Sequence, residues 1–541
     1  MNIVLRFPAC RGRLSVLWIG LLFFRLVPCQ AQSQSAQEPW GLLEYAESES
    51  VKGLNPYRLE TARGATDRLF ALIYEGLLRY DYDEERYVPM LAESYTIESD
   101  TLITFTLRPT VRWHDGEPFS AEDVTFTYAF IKRLAPEQLR KQYASLTLDI
   151  IDPLTVRATF SEPVVDLLQY FDTWIIPAHH FRNFAPAPRT TPLEEFPVGT
   201  GPFKFRRQSI EGHISIDVND AYWSDQGRIK SVKMNKVTDP SQMVLSAMYG
   251  NHRLMIQVPP GQINTLEALK TFNIEQYPSF AIYAFAYHCT HPALRDPRVR
   301  QALTYATNRQ KMLDQWFNGK GHLISSPFNN SSPYYDHTIK PFPHDPDKAR
   351  ALLQEAGYLD RNGDGVLEYR SGRKLSLELV NFVEKAAGTT TNQNLAASYK
   401  SDLAAVGVEV NLIDLPLETY RKRLFLDHDF DIALVEWTFD PIYDVTDLFD
   451  SESFGGNNIV RYSDTRVDEI IRQFHQARDP EARIDLMHEL QKILAEANPY
   501  TFVLSVDKNA ALHRSLAGYR IDPYYFFSYF AQWYFAQDFR D

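Results

Sequence analysis

The sequence predicts a mixed α/β (α+β) protein of several domains. Segments with a period of two alternate along the chain with amphipathic segments of period 3.6, the pattern of strands and helices layered on one another. At 541 residues the chain exceeds what one hydrophobic core fills, so two to four domains are expected. Hydrophobic residues at 44% and charged ones at 23% match a globular chain and argue against intrinsic disorder.

The first 31 residues read as an export signal. Arg6, Arg11 and Arg13 form a basic start, Leu14 to Phe24 an apolar stretch too short to span a bilayer, and Cys29-Gln30-Ala31 a small-x-small cleavage site. Leu26 to Cys29 also offers a lipid-attachment site. Pro28 is a poor neighbour for a lipidated cysteine, so a free exported protein is preferred over one anchored at Cys29. Cleavage removes four arginines and no acid, taking the formal charge from −13 to −17. A chain that acidic, with no basic stretch, is not expected to bind nucleic acid. Cleavage would leave Cys289 as the one cysteine, flanked by apolar residues and expected to behave as a small hydrophobe. The 34 Phe, 30 Tyr and 8 Trp are first of all material for large cores, with ligand stacking as a second use.

Residues 91–128 read as a hairpin followed by a helix. Ile103, Phe105 and Leu107 alternate with Thr104 and Thr106, and Arg108-Pro109 ends the strand because proline cannot donate to the ladder. Val111 and Trp113 resume the alternation, His114-Asp115-Gly116 is a turn, and Ser120 with Asp123 forms a box-like helix start. Three further helices open with an aspartate N-cap and proline at the first helical position: Asp296-Pro297, Asp345-Pro346 and Asp479-Pro480. Gly357 supplies a stop for the second of these.

As a pattern, the 91–128 block resembles the signature of the bacterial extracellular solute-binding proteins of family 5. Ile73-Tyr-Glu-Gly-Leu77, Pro197-Val-Gly-Thr-Gly-Pro-Phe203, Asp296 to Leu303, Asp345 to Tyr358 and Val406 to Val410 resemble further family segments in the family's order. The resemblance implies a periplasmic binding protein-like fold, two lobes around a ligand cleft with an additional subdomain on the first lobe (the class II, or cluster C, type). It places the first lobe at about 38–75, 195–283 and 507–541, the subdomain at 76–194 and the second lobe at 284–506. It further implies a periplasmic, monomeric receptor that hands a small solute, a dipeptide or oligopeptide, to the membrane permease of an ABC importer, with no cofactor and no catalysis.

The residues themselves contain no GxSxG, no P-loop and no HExxH. His179 and His180 are adjacent and should point in different directions, so metal ligation by that pair alone is not expected. Asp360-Arg-Asn-Gly-Asp364-Gly365 begins like a calcium loop, but Ser371 stands where the bidentate glutamate belongs; an Asp/Gly turn is preferred, with ion binding left open.

The segment Asp429 to Asp444 is the candidate ligand site. Phe430 to Val435 reads as a buried strand, with Glu436 onward as the loop leaving it, where open α/β architectures place ligand contacts. The resemblance implies that Asp440, in Trp437-Thr-Phe-Asp440, holds a peptide's α-ammonium. Trp437 would form a wall, Thr438 would offer backbone groups for strand addition, and Lys385 would meet the ligand carboxylate. Glu436 stands where peptide-binding members carry glycine. An oligosaccharide, or a cationic or metal-chelate solute favoured by Glu436 and Asp440, is the alternative ligand, and a secreted hydrolase is the alternative of another class.

Overall fold

Two large sheets carry the chain, each built around strands that are apolar on both faces. In the computed structural model the described residues run from 41 to 536, except 52, 58–63, 83, 85, 165, 183–191, 226, 280, 331, 384–390, 440–444, 455, 478 and 524. The expected export signal lies outside the described residues, and among these no helix is long and apolar enough to cross a membrane.

The first sheet has seven strands, in the order Phe272–Tyr277, Lys508–His513, Leu254–Met255, Leu42–Glu47, Ser231–Lys236, Ile214–Val218 and Phe203–Gln208. Leu42–Glu47 lies at its centre, parallel to both neighbours, with Tyr45 opposite Met234 and Leu254. The second sheet has six: His322–Leu323, Tyr500–Ser505, Ala281–Tyr287, Ile432–Thr438, Ser376–Phe382 and Glu409–Leu415. In Ala281–Tyr287 the period of two sends Ile282, Ala284 and Ala286 to one core, and Phe285 and Tyr287 to another. Such strands are buried on both faces, which is why they read as continuous apolar runs.

The chain passes from the first sheet to the second between Tyr277 and Ala281, and returns between Ser505 and Lys508. The two passages lie side by side: Tyr277 pairs with Lys508 in one sheet, and Ile282 with Ser505 in the other. The carboxylate of Asp507, within the return passage, lies 2.7 Å from Gln276 Nε2 of the first sheet and 3.2 Å from His322 Nε2 of the second. Short adjacent connectors of this kind are where two packed bodies turn about one another.

A four-stranded antiparallel sheet, Ala92–Ser99, Leu102–Leu107, Thr155–Phe160 and Leu146–Asp152, shares a continuous core with the first sheet. Ile103, Phe105 and Leu107 are fully buried, as their alternation demands. After them Arg112 and Pro118 form a single bridge around the His114-Asp115-Gly116 turn. Helix Ala121–Leu134 starts with the expected box, Ser120 accepting from the Glu122 amide and Asp123 from the Ser120 amide. Asp296, Asp345 and Asp479 each cap their helix with proline at its start, and Gly357 follows the second at φ +95°, a value glycine adopts without strain. The 360–368 loop closes on itself: both Asp360 oxygens accept backbone amides and Lys374 pairs with Asp364.

The glycine-rich turn at 199–201 is a clasp. A Cβ at Gly199 would lie 1.8 Å from the Ile73 carbonyl oxygen, so the turn can sit there only without a side chain. Glu75, beside it, is buried and accepts from the Thr200 and Tyr222 hydroxyls and the Trp223 indole. His114 closes the clasp from the hairpin, its Nδ1 accepting from the Gly199 amide while Nε2 donates to the Gly201 carbonyl. That tautomer is neutral, and burial pushes the imidazole pKa down to about 4. The unfolded chain therefore binds a proton between pH 6.5 and 4 that the native state refuses. Stability should fall as pH drops through this window, by about 3 kcal/mol from His114. Urea midpoints measured from pH 7 to pH 4 should show this slope, reduced in His114→Gln.

Candidate functional site

Charged side chains from both sheets meet beside the two passages. On the first sheet Glu47 ends the central strand, and Arg68 reaches it from helix Ala65–Ile73, Nη2 lying 2.8 Å from Glu47 Oε2 and Nε 3.0 Å from the same oxygen. Both groups are buried. Glu49 lies 3.5 Å from the same guanidinium and accepts from the Ala65 amide. Lys508, at the start of the return strand, completes this group. On the second sheet Glu436 pairs across the ladder with Tyr283.

The electrostatics join the two sides. Burial raises the Glu436 carboxyl pKa, opposed by the Lys508 ammonium and by a hydrogen bond from the Tyr283 hydroxyl. The side chain keeps solvent contact, so the loss of hydration comes from the walls of a recess. Lys508 is pulled below the usual lysine range, first by burial and then by Arg68, with Glu49 and Glu436 acting the other way. Burial also raises Glu47, and Arg68 opposes that. With Arg68 and Glu47 committed to each other, the charges left to meet a guest are the Lys508 ammonium and the Glu49 and Glu436 carboxylates, so both signs are present together.

The strand carrying the expected site is longer than the sequence suggested. It runs Ile432–Thr438, so Glu436, Trp437 and Thr438 belong to the ladder, opposite Tyr283, Ile282 and Ala281, and not to a loop after it. Pairing to Ala281–Tyr287 prolongs the extended backbone beyond the apolar run, which is all that patterning could register. On the other side, pairing to Ser376–Phe382 is made through Ile432 and Ala433. The pleat puts Glu436 and Thr438 on one face and Trp437 on the other. Trp437 is half-buried edge-on to Phe425, ring centroids 6.2 Å apart, and its indole N–H has no acceptor among the described residues. Asp440 and Lys385 lie outside the described residues.

Arg68, Glu47, Glu49, Lys508 and Tyr283 were not singled out by sequence. The one available signal was Glu47-x-Glu49 at the end of an apolar strand; the rest are lone charges brought together by folding. Cys289 is free, its Sγ faces the Tyr287 carbonyl, and burial pushes the thiol up to about 11, far from a nucleophile's range. The adjacent histidines do not point apart as expected. On the 3₁₀ turn Ala178–Phe181 the two rings meet edge to face, centroids 4.7 Å apart, and both Nε2 atoms reach Asp115. Sequence adjacency gave no hint of a partner 64 residues earlier in the chain.

Two lobes joined at paired strands, with charge gathered beside the junction, define a binding protein of the two-lobe class. The family model described as "Bacterial extracellular solute-binding proteins, family 5 Middle" matches residues 86–458. The chain belongs to this family. Among relatives, the dipeptide-binding protein of Pseudomonas aeruginosa is 24% identical over 512 residues, 89% of this chain and 93% of that one. Among solved structures, NikA from Brucella suis in complex with Fe(III)-EDTA superimposes with a TM-score of 0.81 at 23% identity, covering 92% of this chain and 100% of NikA. The oligopeptide-binding protein AppA of Bacillus subtilis, in complex with a nonapeptide, gives 0.77 at 22% identity, covering 92% and 99%.

The Glu47–Arg68 pair should dominate the local energetics. Arg68→Ala strands a buried carboxylate and should cost about 3–5 kcal/mol by urea denaturation, whereas Arg68→Met with Glu47→Leu should recover most of that loss. Equal destabilisation by both would show that packing, and not the unpaired charge, is at stake.

Proposed function

We propose that this chain is the solute-binding component of an ABC-type importer and captures a dipeptide or oligopeptide between its lobes. The observation that carries this reading is the juxtaposition of a charged recess with strand residues 436–438, whose described ladder lies on the Ala281 side. An extended peptide added along the other edge would gain backbone hydrogen bonds without demanding a particular sequence. Its termini would meet opposite charges, the α-ammonium at Asp440 with Glu436 near it, and the carboxylate at Lys385 or Lys508. The dipeptide-binding and peptide-loaded relatives support the same ligand class. The first lobe would comprise 38–75, 195–283 and 507–541, the subdomain 76–194 and the second lobe 284–506, closing about the paired passages. Closure would present a joined surface to a permease, in a monomer working in the periplasm after removal of residues 1–31.

A second reading is a cationic or chelated solute, favoured by Glu436 in place of glycine and by the likeness to NikA.

Calorimetry against a mixture of short peptides tests the proposal. Peptides with a free amino terminus should bind, N-acetylated ones should bind at least about tenfold more weakly, and Asp440→Asn should lose a comparable factor. Equal binding of free and acetylated peptides would remove the ammonium site; binding of a metal chelate with no peptide binding would favour the second reading.

A further inference from the structure

We propose that Asp115, His179 and His180 form a binding site for one divalent transition-metal ion of the zinc or nickel class, on the subdomain and separate from the recess at the hinge. Each imidazole Nε2 lies 2.8 Å from Asp115 Oδ2, and the three donor atoms all lie within 4.8 Å of one another. An ion bound about 2.1 Å from each donor spans at most roughly 4.2 Å, so small rotations of the side chains would close the site. Two imidazoles and a carboxylate are the donor set that such ions prefer over calcium or magnesium.

The donors are held from behind. Asp115 sits at the tip of the hairpin turn, where its Oδ1 accepts the Glu117 amide and leaves Oδ2 for the histidines. Buried Asp123 grips both arms, one oxygen accepting from the Trp113 indole at 3.2 Å and the other from the Ala178 amide at 2.9 Å. Trp113 stands edge-on to the His179 ring, centroids 6.2 Å apart. The hairpin and the 3₁₀ turn are thereby fixed relative to one another before any ion arrives, the supporting shell a metal site requires. All three donor side chains keep partial exposure, between 16% and 32%, so an ion can enter and water can fill its remaining positions.

Without an ion, both imidazoles share one carboxylate oxygen by hydrogen bonds. With one, each neutral imidazole would carry its proton on Nδ1 and turn the Nε2 lone pair to the ion, and the same three residues would staple two segments distant in sequence.

The test is calorimetry of the untagged, chelator-stripped protein with ZnCl₂ and NiCl₂, and anomalous diffraction from zinc-soaked crystals. One ion per chain should bind, located between Asp115, His179 and His180. His179→Gln with His180→Gln should weaken binding at least about tenfold. Asp440→Asn should leave zinc affinity unchanged, which separates this site from the peptide recess and from the success or failure of the peptide proposal. No zinc binding at 100-fold excess, an anomalous peak elsewhere, or full affinity in the folded double variant would overturn it. If the double variant does not fold, His180→Gln alone and the wild-type anomalous map decide between the same outcomes.

Discussion

Everything in this molecule hangs on two strands that each continue from one sheet into the other, side by side. Because Tyr277 pairs with Lys508 and Ile282 with Ser505, the two passages between the sheets are held side by side. The same constraint delivers residues to the site. Lys508 comes first after the return passage, Tyr283 lies two residues into the next strand, and Glu436 is aligned against Tyr283 by ladder register alone. A one-residue slip would turn Glu436 away from the recess and bring Trp437 into it.

The recess is electrically dense because its charges are only partly compensated from within. Arg68 is committed to Glu47, both buried, and Glu49 leans on the same guanidinium. Glu436 and Lys508 act on each other across the junction, with Glu49 also acting on Lys508, and each is shifted toward neutrality by lost hydration. A guest carrying both signs would relieve both shifts, whereas a guest of one sign would leave one of them uncompensated. This is the physical ground of the peptide proposal.

The additional sheet is held to the first lobe by a continuous apolar core and by one buried polar clasp. Thr200, Tyr222 and Trp223 all donate to the Glu75 carboxylate; His114 ties the hairpin to the backbone of the same turn. Gly199 and Gly201 are there because the Ile73 backbone comes too close for any side chain. The aromatic richness of the chain is spent in these cores: Trp113, Tyr45, Phe70, Phe105 and Phe171 are all fully buried in this one.

What was legible in the sequence was local. The capping box at Ser120, the aspartate–proline helix starts and the alternation through Ile103, Phe105 and Leu107 follow from interactions within a few residues, so the chain states them directly. The family resemblance rested on such segments taken in order. The strand through Thr438 was read three residues short, because Glu436 breaks the apolar run and only pairing with Ala281–Tyr287 keeps it extended. Arg68, Lys508 and the Asp115 carboxylate beneath two histidines were invisible, since a lone charge acquires meaning only from a partner tens or hundreds of residues away. Sequence by itself determined the elements and the family, because propensity, capping and turn chemistry act over short range. Tertiary structure alone decided which charges meet, because that depends on register and on the two crossings between the sheets.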